Sequence, residues 1–175
     1  MKKNIGEKLI KRLDKELTKD KKEYIGAIVL GLNDAIIEII GILAGLTLAL
    51  QNSKIIAVVG LITGISASLS MAASEYLSIK SEKTKYKPLK SAFYTGFVYL
   101  LTVLFLILPY LLLNNVYYSL ISTLVIALII IFFFTYYISV KRDYPFKRRF
   151  FDMLLICLGV AVISFIFGYL IRISF

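Results

Sequence analysis

Residues 25–50 read IGAIVLGLNDAIIEIIGILAGLTLAL, and this stretch decides the fold class. Its 26 residues carry two charges. It is therefore long and apolar enough to cross a bilayer, which takes about 20 residues. Four more stretches of 23 to 25 residues share that character: 55–79, 91–113, 116–140 and 151–173. The whole chain has 175 residues, 59% hydrophobic and 18% charged. Such a balance excludes intrinsic disorder and argues against one water-soluble core. The expectation is an all-α membrane protein whose residues 24–175 form five transmembrane helices behind a short soluble segment, residues 1–23.

The formal net charge is +10, and its distribution decides what it means. Nine Lys and Arg lie in residues 1–23, five in 80–90 and five in 141–149, whereas the opposite side has only Lys54 and Arg172. Positive residues near span ends stay on the cytoplasmic side, so the N-terminus is expected in the cytoplasm and the C-terminus outside. The same charges then explain orientation, and nucleic acid is not an expected partner. The localisation expected is an integral, multi-pass protein, in the cell membrane if the source is prokaryotic.

Cys157 is the single cysteine and falls inside the fifth span, where it reads as a packing residue. Histidine is absent, which removes imidazole ligands and a Ser/His/Asp triad. No nucleophile–base pair is legible, so an enzyme is not expected, nor is any permanently bound cofactor. The first 23 residues hold nine basic and five acidic side chains and lack the apolar stretch of a cleavable signal peptide. Within them Ile5, Leu9, Leu13 and Leu17 recur every four residues, and Glu7 and Lys11 can pair across one turn. This is the pattern of an amphipathic basic helix, lying on the cytoplasmic lipid surface or binding a partner.

Short connections make consecutive spans antiparallel neighbours: 51–54 joins the first two, and Asn114–Asn115 turns the third into the fourth. Pro88 and Pro145 break the chain before the third and fifth spans. Between residues 25 and 75 no aromatic residue occurs, but six glycines do: Gly26, Gly31, Gly41, Gly45, Gly60 and Gly64. Small residues let helix backbones approach closely in lipid. Spans one and two are accordingly expected to form the tight centre, with the aromatic-rich spans three to five as an outer scaffold.

The residues able to carry chemistry lie in the glycine-rich part. Ala27, Gly31, Asp34, Glu38, Gly41 and Gly45 follow alternating steps of four and three and share one helical stripe. At about 1.5 Å per residue, Asp34 lies about 14 Å and Glu38 about 20 Å inside the span. A carboxylate there costs several kcal/mol unless paired, protonated or metal-bound. No Lys or Arg lies inside spans one to four to neutralise it. In span two Gly60, Gly64, Ala67, Met71, Ser74 and Ser78 repeat the same steps, with Glu75 one turn beyond Met71. Oxygen donors suit hard divalent ions and a thioether shifts preference toward softer transition metals. Asp34, Glu38, Met71 and Glu75 are thus the candidate ligands, and iron(II) or manganese(II) fits the set.

The run Gly31-Leu32-Asn33-Asp34, then Glu38-Ile39-Ile40-Gly41 and Ala44-Gly45, with Ser70-Met71-Ala72-Ala73-Ser74-Glu75-Tyr76-Leu77-Ser78 closing span two, resembles the vacuolar iron transporter family. The resemblance covers roughly residues 24–82. It implies a dimer that moves iron(II), and often manganese(II), out of the cytosol in exchange for protons. It also implies an ion path between the first two spans of both subunits, lined by Asp34 and Met71, with Glu75 at an acidic position common in the family and Glu38 at one found in part of it. The chain departs from well-studied members in one respect. Their long metal-collecting insertion between spans two and three is here the loop 80–90, whose only acid is Glu82.

Two functions follow as expectations. One is a homodimeric transporter joined through spans one and two, exporting iron(II) or manganese(II) against protons. The alternative is a non-transporting scaffold dimer, with Asp34 and Glu38 protonated and the N-terminal helix recruiting a partner.

Overall fold

Turns of two and three residues, and prolines at the starts of helices, set the architecture of the computed structural model. It describes residues 2–82, 87–142 and 145–174, with backbone alone for 2–23 and Arg142. The helices are α1 (Lys2–Leu50), α2 (Ser53–Ser81), α3 (Pro88–Leu112), α4 (Val116–Arg142) and α5 (Phe146–Ser174). Each contains a segment long and apolar enough to span a membrane, beginning at Tyr24 in α1. The expected five-helix, all-α membrane fold is what the chain forms. α1 is continuous from Lys2, so the amphipathic segment and the first span are one helix. The packing of Ile5, Leu9, Leu13 and Leu17 lies outside the described side chains.

Local chemistry explains the boundaries. Gln51 adopts a left-handed φ of 51°, which reverses the chain at once, and the Asn52 side chain accepts a hydrogen bond from the Ile55 N–H at 3.1 Å. Asn115 does the same for α4, accepting from the N–H groups of Tyr117 and Tyr118 at 2.9 and 3.3 Å. Pro88 occupies the first turn of α3, where a missing N–H costs nothing, and α3 therefore starts ahead of residue 91. α5 starts at Phe146 rather than 151 because Pro145 ends the preceding chain and the exposed Lys147 and Arg148 extend the helix beyond its apolar stretch.

The core forms around α1 and α3. Ala35, Ile36, Ile39 and Leu43 of α1 and Tyr99, Val103, Leu106, Ile107 and Tyr110 of α3 have no solvent exposure. α1 packs chiefly against α5 and α3, and α2 chiefly against α3. This revises the expected tight centre of spans one and two. The glycines do mark close approaches, but their partners are other helices. A Cβ on Gly41 would lie 2.8 Å from Val160 of α5, and one on Gly60 3.2 Å from Ile107 of α3. Gly168 of α5 seats against the Gly45 backbone, and Gly31 against the backbone of Thr95, whose hydroxyl donates to the Ala27 carbonyl at 3.3 Å. Small residues permit proximity without naming the neighbour. α2, though glycine-rich, keeps an exposed face that includes Ile62 and Leu69.

The aromatic residues divide as well. Phe93, Phe133 and Phe167 face outward, and Tyr24, Tyr94 and Lys90 stack at the basic end, with Lys90 Nζ 4.5 Å from the Tyr24 ring. Tyr99 and Tyr110 instead enter the core. Pro109 interrupts the hydrogen-bond ladder of α3. Hydroxyls from neighbouring helices serve the carbonyls around it: Thr123 donates to Leu106 O at 2.9 Å, Ser119 to Pro109 O at 3.3 Å and Ser53 to Tyr110 O at 2.9 Å.

Candidate functional site

α1 and α2 meet where Gly60 faces Leu43, at 3.3 Å from a Cβ built on the glycine, and leave a groove of about 520 Å³ between them toward the basic end. Asp34 and Glu38 line it from α1; Thr63, Ser66, Ser70, Met71 and Ser74 line it from α2, with Ile62 and Ala67. The helical period explains the set. Asp34 and Glu38 are one turn apart on α1, and Thr63, Ser66, Ser70 and Ser74 recur at steps of three and four on α2. By rise along each span, Asp34 stands about level with Met71 and Glu38 about level with Ala67.

Three of the four residues singled out in the sequence therefore share one recess. The fourth, Glu75, is not part of its lining. Its Oε1 accepts a hydrogen bond from Ser91 Oγ at 2.7 Å, in the first turns of α3, where the helix dipole favours a negative group. Glu75 is thus held beside the basic mouth of the groove and turned toward α3.

Asp34 and Glu38 differ in their partners. Glu38 Oε2 accepts from the Tyr99 hydroxyl at 2.5 Å. Among the described residues Asp34 has no hydrogen-bond partner, and neither do the hydroxyls of Ser66, Ser70 and Ser74. Thr63 turns its hydroxyl back to the Val59 and Gly60 carbonyls, at 2.9 and 3.2 Å. The groove therefore presents two carboxylates, three free hydroxyls and a thioether. Such a mixture can take over part of the hydration shell of a divalent cation. Among the described residues no three His, Cys, Asp or Glu side chains converge, so one chain supplies two carboxylates and no complete cage.

Tyr99 escaped the sequence reading because it sits in an aromatic-rich span, where tyrosine reads as an interfacial residue. A signal was nevertheless present. Ser91, Thr95, Tyr99 and Thr102 follow steps of four, four and three in an otherwise apolar helix, and all four are buried. A polar stripe of that kind in lipid has to face protein.

No protein of curated function matches the chain. The sequence model of the VIT family matches residues 25–87 and 82–169, two segments that meet in the α2–α3 connection and reach all five spans. The chain therefore belongs to the vacuolar iron transporter (VIT) family and is an integral, multi-pass membrane protein of the metal-ion transporter class.

Proposed function

We propose that this protein is a homodimer that carries iron(II), and manganese(II) as a second substrate, out of the cytosol in exchange for protons. The observation that carries the reading is the groove. Two carboxylates, free hydroxyls and a thioether line one recess at mid-span, and the apolar stretches 25–50, 55–79, 91–113 and 116–140 hold no Lys or Arg to neutralise them. In hydrocarbon such a surface is costly unless something cationic occupies it or protein covers it. The open side of the groove and the exposed serine face of α2 support a second copy as that cover. A two-fold axis would bring the same face of both chains together and double the number of carboxylates around one path.

In this reading the metal ion leaves the cytoplasm at the basic end, which the positive-inside asymmetry assigns to that side. It passes Glu75 at the mouth, then Met71 level with Asp34, then Glu38. Carboxylates and hydroxyls favour hard divalent ions, and Met71 adds preference for iron(II) over calcium or magnesium. A carboxylate that has released its metal to the outside binds a proton in its place, so one site alternates between two cationic occupants. The path does not need the metal-collecting insertion of larger relatives. Metal delivery then falls to the loop 80–90 and the groove mouth alone.

The test is iron(II) uptake into liposomes holding the purified full chain, with and without an imposed proton gradient, with manganese(II) and calcium(II) alongside. Gradient-dependent flux of iron or manganese that disappears in Asp34→Asn is the expected result. No flux of any of these ions from folded, correctly oriented protein would overturn the reading and favour the scaffold dimer.

A further inference from the structure

α3 contributes no side chain to the groove lining, yet it reaches the chemistry of the groove at Tyr99. The Tyr99 ring is fully buried in the core shared by α1 and α3, together with Ile36, Ile39 and Val103. A ring held on all sides has little rotational freedom, so its hydroxyl occupies a fixed point. That hydroxyl donates to Oε2 of Glu38, which itself lines the groove. Asp34, one turn earlier on the same face, has no such donor among the described residues.

We propose that Tyr99 is a positioning residue for the transported ion: by binding one oxygen of Glu38 it leaves the other to the groove and makes Glu38 a fixed ligand arm, with Asp34 the mobile one. This rests on the transport reading above. The logic is preorganisation. A glutamate has three rotatable side-chain bonds, and fixing them before the ion arrives removes that ordering cost from binding. An immobile Glu38 beside a free Asp34 also gives the site one constant donor and one that can follow the ion along the path. If instead Glu38 served only to satisfy a buried phenol, removing the hydroxyl would affect stability and leave transport constants alone.

Tyr110 provides the control. It is a second fully buried tyrosine of α3, remote from the groove, with its hydroxyl 2.6 Å from Thr47 Oγ1. Manganese(II) uptake into liposomes would be measured for the native chain, Tyr99→Phe and Tyr110→Phe, separating KM from the maximal rate. Tyr99→Phe is expected to raise KM about tenfold, the scale of one charge-assisted hydrogen bond, with a much smaller change in maximal rate. Tyr110→Phe is expected to keep the native KM. A native KM in Tyr99→Phe, or an equal rise in Tyr110→Phe, overturns the proposal. A second measurement does not depend on transport. In metal-free protein, the infrared carboxylate band that Glu38→Gln removes should shift in Tyr99→Phe. If the native chain moves no ion, the transport reading falls and with it the role assigned to Tyr99. An unshifted band overturns the hold of Tyr99 on Glu38 by itself.

Discussion

One stripe of α1 has two fates. Toward the basic end it carries Asp34 and Glu38 and opens on the groove beside α2. Further along, Gly41 and Gly45 are covered by α5, with a built Cβ 2.8 Å from Val160 and 3.1 Å from the Ser164 carbonyl. In sequence the two halves look alike, since small residues at steps of four and three surround both. The difference lies in what the neighbour can approach. A glycine face admits a backbone and closes; a carboxylate face in lipid cannot be closed by apolar atoms and stays open for a cation or a polar partner. Transport chemistry and fold stability should therefore be separable along a single helix.

The sharpest break of that comparison is Asp34→Asn. Ion flux should fall by about 100-fold or more, as expected when a charged metal ligand is lost, while thermal unfolding in detergent stays at the native temperature. Loss of folding in this variant would merge the two halves and refute the separation. Gly168→Val should do the opposite. Its Cβ would enter the Gly45 backbone, and stability should drop by about 1–3 kcal/mol, read from the unfolding midpoint, with the KM of the surviving folded protein unchanged.

Met71→Leu preserves volume and removes the only thioether lining the groove among the described residues. Its effect is smaller and confined to selectivity: the ratio of iron(II) to manganese(II) flux should fall several-fold, measured in competition. The smallest effect belongs to Ser91→Ala. It removes the 2.7 Å hydrogen bond to Glu75, at the groove mouth rather than in its lining, and should cost about 1 kcal/mol of stability with KM within about threefold of native. A large KM change would move Glu75 into the ion-binding set.

The spans, their turns and the acidic face were legible because each has a local cause. Length and hydropathy define a span, Asn114–Asn115 and Pro88 act on their own backbone, and two acids four residues apart share a face whatever surrounds them. The choice of helix partner was not legible. In water an apolar face identifies the inside, but in lipid both faces are apolar and the period loses that meaning. Gly41 and Gly45 therefore announced a close contact without indicating α5, and Gly60 and Gly64 one without indicating α3. Tyr99 was hidden for the same reason, since phenylalanines of its span such as Phe93 and Phe97 do face outward. Glu75 was legible as an acid one turn beyond Met71, but its turn toward Ser91 depends on a residue 16 positions further along the chain.

Pro109 bears on how the chain is made. Without its neighbours, α3 would enter the bilayer with a hydrogen-bond ladder weakened at Pro109, whose missing N–H leaves the Phe105 carbonyl without its helical donor, and an unsatisfied backbone group in hydrocarbon costs several kcal/mol. Thr123 and Ser119 of α4 donate to the nearby Leu106 and Pro109 carbonyls, and a three-residue connection keeps α4 beside α3. During synthesis the favourable unit of insertion is the α3–α4 hairpin rather than either helix alone, and a translocation machinery handling this chain gains by holding α3 until α4 has emerged.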